Sequence, residues 1–471
     1  MGLFALVVIL LLGLGLRVDY AWEGRAPVYD AVAYERIAAN LEQGEGFTLG
    51  AGATQPASNY SPGVPLLVGG IYELSGGMHE RFARIVLALI GWLSVLFAYL
   101  IGRRLSGPAA GLAGAGAVAI YPALLEYQGM LIGEPLAATL LSGAVLAMLC
   151  VRDRRPAAYR AGGAVAGVPH SGGRREAASE HMGEGRRDMT RAPRWLVPGL
   201  MLGALALVRP EYLGISLLVA VVVLTRDRTE WRTGAAKAAI LLAGVALVVA
   251  PWTIRNAAVL DRLVPVSTGG GQVLFAGSYL PSDGDPERVG REVLERHPGL
   301  ARRLSSPFVA DSATNNERVE TVVDRFRLEQ ILAALAAQRH VGVPSDEALG
   351  RMGRERLWDD LSERPLEYGG FVAAKVWRAW SRGPREVMER PAWVALHWAL
   401  VGFGLFGLAV LARRRPWEAL LIGTLLVAVT AIVALLVASP RRVLVTIPLV
   451  AALAGVGATA SYTWLCSRVR H

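Results

Sequence analysis

Two carboxylates and a few arginines are the side chains here best suited to chemistry. Asp30 stands in Val28-Tyr29-Asp30-Ala31-Val32-Ala33-Tyr34, shortly after the first apolar run and at the head of an amphipathic stretch, Ala31–Leu41. A carboxylate so placed can serve catalysis; it can equally be a helix-start charge favoured by the macrodipole. Glu134 follows in Met130-Leu131-Ile132-Gly133-Glu134-Pro135, at the mouth of another apolar run, with Pro135 suited to a first helical turn. An acid at that depth costs free energy unless it is paired or faces a polar cavity. Arg84, Arg209, Arg255 and the pair Arg441-Arg442 all fall at ends of apolar runs. Guanidinium forks there can hold a phosphate bidentately, and snorkelling to lipid headgroups is the competing reading for each.

The elements that must position these groups are membrane helices. Of the 471 residues, 53% are hydrophobic and only 19% charged. Apolar runs recur at the length of about 17–25 residues needed to cross a hydrocarbon core. The expectation is an all-α integral membrane protein with ten spans, near 1–18, 82–102, 108–125, 131–151, 195–208, 211–225, 235–253, 391–412, 417–438 and 442–462. Met1–Leu16 lacks a basic leader and a nearby cleavage pattern, so it reads as an uncleaved first helix.

The net charge of +10 does not indicate nucleic acid, because the basic residues cluster in short connections between apolar runs. Arg103-Arg104, segment 152–194, Arg226/Arg228/Arg232, Arg413-Arg414-Arg415 and Arg468/Arg470 all fall on one side, which the positive-inside pattern assigns to the cytoplasm. Two longer regions, 19–81 and 254–390, then face outward, the second as a mainly helical cap with charged segments Glu317–Gln338 and Asp346–Leu361. The layout is a membrane module 1–253, the outer region 254–390 and C-terminal helices 391–471. Segment 152–194 lacks apolar periodicity and reads as a disordered loop.

Other chemistries find little support. Ser267-Thr268-Gly269-Gly270-Gly271 lacks the frame of a phosphate-binding loop and reads as a turn. The seven histidines show no paired metal spacing, the two cysteines form no CxxC motif, and no GxSxG elbow occurs. No metal ligand set is assigned.

Taken in order, the motifs resemble those of the GT-C glycosyltransferases, in the group of protein O-mannosyltransferases and the lipid A aminoarabinose transferase. The resemblance rests on Asp30-x-x-x-Tyr34 with Ile37-Ala38-x-Asn40-Leu41, Gly44-x-Gly46-Phe47 and Pro62-Gly63-x-Pro65. Arg84, Gly133-Glu134-Pro135, Val208-Arg209-Pro210-Glu211 and Pro251-Trp252-x-x-Arg255-Asn256 continue it. It implies a multi-spanning helical enzyme with a polyprenyl-phosphate sugar as donor, an extracytoplasmic acceptor, and a site between the first outer loop and the bilayer. It carries a catalytic aspartate onto Asp30, with Tyr34 and Tyr60 as pocket residues. The group's usual Asp-Glu pair reads Asp30-Ala31 here, so a second carboxylate must come from elsewhere, with Glu134 the candidate. A divalent cation is compatible with such a site but not required by the sequence.

The chemistry implied is direct displacement. An acceptor hydroxyl is a weak nucleophile, so a carboxylate must take its proton. A lipid phosphate leaves as a stable anion and needs charge stabilisation, which outer arginines can supply. The alternative class is a polytopic lipid or solute transporter, for which an internal repeat and interrupted mid-membrane helices are the expected marks. The sequence offers no clear repeat.

Overall fold

The computed structural model describes residues 2–28, 30–50, 55–151, 192–227, 231–282, 285–310 and 312–469. Almost all of segment 152–194, including residues 152–191, lies outside them. Helices are the regular secondary structure of the described residues, and Thr48 and Pro56 form the one isolated β-bridge among them.

Six helices are long and apolar enough to cross a membrane: α1 (Gly2–Glu23), α4 (Glu80–Ser106), α10 (Trp231–Leu260), α18 (Pro391–Arg414), α19 (Pro416–Leu435) and α21 (Ile447–Val469). A seventh candidate is bent by 54° between α5 (Pro108–Ile120) and the short α6 (Pro122–Glu126) that continues it. Three further expected spans are shorter apolar helices: α7 (Glu134–Cys150), α8 (Leu196–Val208) and α9 (Glu211–Leu224). Another short apolar helix, α3 (Gly63–Ser75), lies between α1 and α4 in sequence and packs beside α2 (Ala31–Glu42).

Small residues let the backbones approach closely. A side chain at Gly407 would run into the Leu453 carbonyl, one at Gly455 into that of Ala110, and one at Gly199 into that of Leu241. These contacts tie α18 to α21, α21 to α5, and α8 to α10. The bend after α5 leaves carbonyls without helical partners. Arg17, fully buried in α1, donates to two of them, Val118 (2.9 Å) and Ala119 (3.2 Å), where a cation also suits the helix C-terminus.

Three breaks shape the site, and two of them precede a proline, where the helical conformation is disfavoured. Arg209 is extended before Pro210 and separates α8 from α9. Ser439 is extended before Pro440, so Arg441 and Arg442 ride on a separate short helix, α20 (Pro440–Leu444), and not on the start of the span expected at 442–462. Glu134 is the first residue of α7; a side chain at Gly133 would meet Val208 Cγ1 at 2.9 Å.

Between α10 and α18 run helices α11 (Gly270–Ser278), α12 (Pro286–Arg296), α13 (Pro298–Ser305), α14 (Asn315–Arg325), α15 (Leu328–Arg339), α16 (Ser345–Glu363) and α17 (Pro365–Ser381). The stretch expected as one charged helix at 317–338 is divided where Phe326 and Arg327 turn extended. Phe275, Val293, Leu300, Val319, Leu332 and Leu349 share a core of their own. Lys375 joins this unit to the bundle by donating to Gly277 and Ala434 carbonyls, both at 2.7 Å. The Trp380 indole donates to Thr430 at 3.1 Å, and Arg385 pairs with Glu126 at 2.6 Å.

Candidate active site

Asp30 precedes α2 in a helical backbone conformation, and its side chain makes no capping hydrogen bond. The carboxylate, 40% exposed, instead accepts from Arg441 Nη2 at 3.2 Å. Arg441 reaches onward through Nε to Glu134 Oε1, and Arg209 Nη2 donates to that same oxygen at 2.5 Å. Glu134 is fully buried. The result is a row of alternating charges, Asp30–Arg441–Glu134–Arg209, closed inside the bundle and open at Asp30. Beside it Arg442 lies 3.7 Å from Glu211 and donates to the Val437 carbonyl at 2.5 Å.

An isolated charge in such a place is expensive, and pairing with saturating hydrogen bonds is what makes it tolerable. One buried carboxylate facing two guanidiniums leaves the Asp30–Arg441–Glu134–Arg209 row with two cations and two anions, with the positive groups concentrated between and beside the acids. That is a stage on which a bound anion gains preorganised donors without rearranging them.

Tyr34 and Tyr60 are also brought here. Tyr34 is buried one turn along α2, and its ring meets Tyr60 edge-on at 6.3 Å. The Tyr60 phenol also lies beside Glu329, near the start of α15, and the two groups act on each other. Burial, then the charges of Glu329 and Asp30, push the Tyr60 phenol up to about 12. Burial and Asp30 likewise hold the Glu329 carboxyl above the ordinary carboxylate range.

The other two arginines sit elsewhere. Arg84 donates to the Ala21 carbonyl at 3.1 Å and to Glu80 at 3.3 Å, where it ties α4 to the end of α1. Arg255 lies over the Trp252 and Phe47 rings, at 4.8 and 5.7 Å, and donates to Asn256. Two carboxylates that were not among the candidates join the site. Glu211 sits in the Val208-Arg209-Pro210-Glu211 motif, so its neighbour Arg209 was the available signal. Glu329 opens an ordinary charged helix, and nothing in its neighbourhood distinguishes it.

The two acids of the row are engaged chiefly by guanidiniums. One Glu134 oxygen already receives two guanidiniums and Asp30 receives a third contact. No group of three or more His, Cys, Asp or Glu residues among those described could hold a metal.

The family model for dolichyl-phosphate-mannose-protein mannosyltransferases matches residues 57–169. Among solved structures, the apo oligosaccharyltransferase of Archaeoglobus fulgidus matches with a TM-score of 0.52 at 14% identity, over 99% of this chain and 51% of that one. The oligosaccharyltransferase AglB of the same archaeon, in complex with an inhibitory peptide and a dolichol-phosphate, matches at 0.51 and 15%, over 98% and 50%. ArnT from Cupriavidus metallidurans bound to undecaprenyl phosphate matches at 0.40 and 16%, over 97% and 78%. No curated protein matches the sequence. The chain spans about half the length of the oligosaccharyltransferases it resembles. The chain shares the fold of these archaeal oligosaccharyltransferases, and the family match over 57–169 falls in the group that the motifs resemble.

Proposed function

We propose that this chain is an inverting glycosyltransferase that moves a sugar from a polyprenyl-phosphate carrier to an acceptor hydroxyl on the extracytoplasmic side of a membrane. The observation that carries it is the state of Asp30. A merely structural aspartate at a helix start would cap that helix; this one leaves the cap unmade and forms the exposed end of a buried charge row.

In this reading the acceptor oxygen attacks the anomeric carbon, and the bond from that carbon to the carrier's phosphate oxygen breaks with inversion. Asp30 takes the acceptor's proton. The lipid phosphate departs with the bonding electron pair, and Arg441, Arg209 and Arg442 stabilise its charge. Glu134 acts as the fixed counter-ion that sets the two guanidiniums in place. Arg84 and Arg255 are left out, since their guanidiniums are engaged at other points of the fold. The dolichol-phosphate held by the AglB complex supports a lipid-phosphate donor.

The orientation rests on charge. Arg226 donates to the Val151 carbonyl at 2.8 Å, and Ser106 meets Thr459 at 3.4 Å, so those ends lie together, away from the site. The basic connections at that end put it in the cytoplasm. Regions 19–81 and 254–390 then face outward, with the three short helices completing ten spans around a locally thinned or tilted bundle.

The test is Asp30→Asn in the full chain, assayed for transfer from a synthetic polyprenyl-phosphate sugar. General-base catalysis contributes about 10²–10⁴-fold, so transfer falls by that factor while donor binding persists. Full activity in the variant overturns the mechanism.

A further inference from the structure

A cavity of about 370 Å³ opens between the first outer loop and the helices that follow α10. That volume is at the low end of the ~300–1,000 Å³ typical of small-molecule sites. Three separate segments build its wall: Asn59 from the loop, Arg262 and Gln272 after α10, and Glu329, Gln330 and Asp346 from α15 and α16. Tyr60 stands between it and the charge row, with its ring against Tyr34 on one side and its phenol beside Glu329 on the other.

The lining chemistry is specific. Asn59 and Gln272 carry both donors and acceptors, Gln330 adds its amide donors while its carbonyl accepts the Arg327 N–H at 3.0 Å, and Glu329 adds an acceptor. Asp346 is already engaged, accepting the backbone N–H groups of Gly271 (2.8 Å) and Gln272 (3.2 Å), so it holds the wall together. Sugar hydroxyls are donor and acceptor at once, and planar amides and carboxylates match them in pairs. A peptide segment would call for apolar side-chain pockets or a sheet edge to extend; among the described residues the wall has no sheet edge, and its apolar part is confined to Ala333, Pro344 and Leu349.

We propose that this cavity is the acceptor subsite and that the acceptor it takes is a glycan, bound through the hydroxyls of its terminal sugar. The inference rests on the transferase reading and narrows it. Glu329 fixes the terminal ring from the cavity side and Asp30 faces the hydroxyl that attacks. The two carboxylates thereby divide the work: Glu329 orients the acceptor, Asp30 removes its proton. Glu329 is a positioning residue, and its loss raises KM for the acceptor more than it lowers kcat.

Saturation-transfer NMR on the full-length protein in lipid nanodiscs tests this without turnover. The probes are methyl α-mannobioside, methyl α-1,5-arabinobioside, methyl β-galactobioside and a serine- and threonine-containing hexapeptide. At least one glycoside receives saturation from the wild-type protein, and Ala333→Trp, which fills the cavity from its α15 wall, weakens that signal at least tenfold. Gln330→Leu, a milder change in the same wall, weakens it several-fold and covers the case in which the tryptophan variant fails to fold. Asp30→Asn keeps the signal. Saturation of the peptide alone, of no glycoside, or of a glycoside undiminished in both cavity variants overturns the proposal. A glycoside signal that persists in Asp30→Asn beside unimpaired transfer sinks the base assignment and leaves the acceptor site standing, so the two failures are distinct.

Discussion

Replacing Glu134 by Gln removes one negative charge from the centre of the bundle and almost nothing else. The side chain keeps its shape, yet Arg209 and Arg441 lose the negative charge on which both converge. The site is shielded from solvent, for Glu134 is fully buried and the Arg209 and Arg441 side chains are only 16% and 12% exposed. Removing one partner of a buried ion pair costs about 3–5 kcal/mol, because the remaining charge stays desolvated. With each ~1.4 kcal/mol worth a factor of ten, the folded-to-unfolded ratio falls by at least two orders of magnitude. Asp30→Asn provides the contrast: a half-exposed carboxylate with one contact at 3.2 Å contributes about 0–1 kcal/mol. Thermal unfolding of both variants in the same detergent, followed by tryptophan fluorescence, separates them. Glu134→Gln melts well below wild type and Asp30→Asn close to it. Adding Arg441→Met to Glu134→Gln removes the orphaned cation and recovers part of the loss, a coupling readable in a double-mutant cycle. Should Glu134→Gln melt with wild type, this carboxylate is not what holds the guanidiniums, and its assignment as counter-ion fails.

Gly407→Ala and Gly455→Ala each drive a methyl into a neighbouring backbone carbonyl, so each should destabilise the bundle by about 1–3 kcal/mol, whereas Gly116→Ala, which meets only Ile9 at 3.9 Å, leaves the melting temperature near wild type. The raised Glu329 carboxyl, shifted by burial and then by Asp30, keeps its proton longer in the folded state than in the unfolded one. Stability then falls as pH rises through the window between the ordinary carboxylate value and the raised one, and Glu329→Gln flattens that slope in unfolding measured across pH. A cysteine at exposed Ser362 in a variant lacking Cys150 and Cys466 should react with an impermeant maleimide in intact cells; protection there would reverse the orientation.

The sequence by itself determined the material of the fold. Apolar runs bounded by arginines mark where helices lie, because a backbone in hydrocarbon must satisfy its own hydrogen bonds. The ten expected spans each correspond to a helix or a bent helix pair, although length and apolarity single out six, or seven with the bent pair, as able to cross by themselves. Asp30, Tyr34, Glu134 and Arg209 were legible as candidates because each sits in a short motif at the end of an apolar run. What no local pattern decides is which of several equivalent arginines meets which acid. Arg255 and Arg441 look alike in sequence, each at the end of an apolar run. One lies on aromatic rings, and the other spans 411 positions to reach Asp30. Snorkelling, stacking and ion pairing all satisfy a guanidinium at a membrane edge, so the choice falls to packing between distant helices. The breaks before Pro210 and Pro440 make that choice, turning Arg209 and Arg441 toward one buried carboxylate. Glu329 belongs to the same class: only the docking of α15 over the segment between α2 and α3 brings an ordinary surface glutamate against Tyr60 and the charge of Asp30.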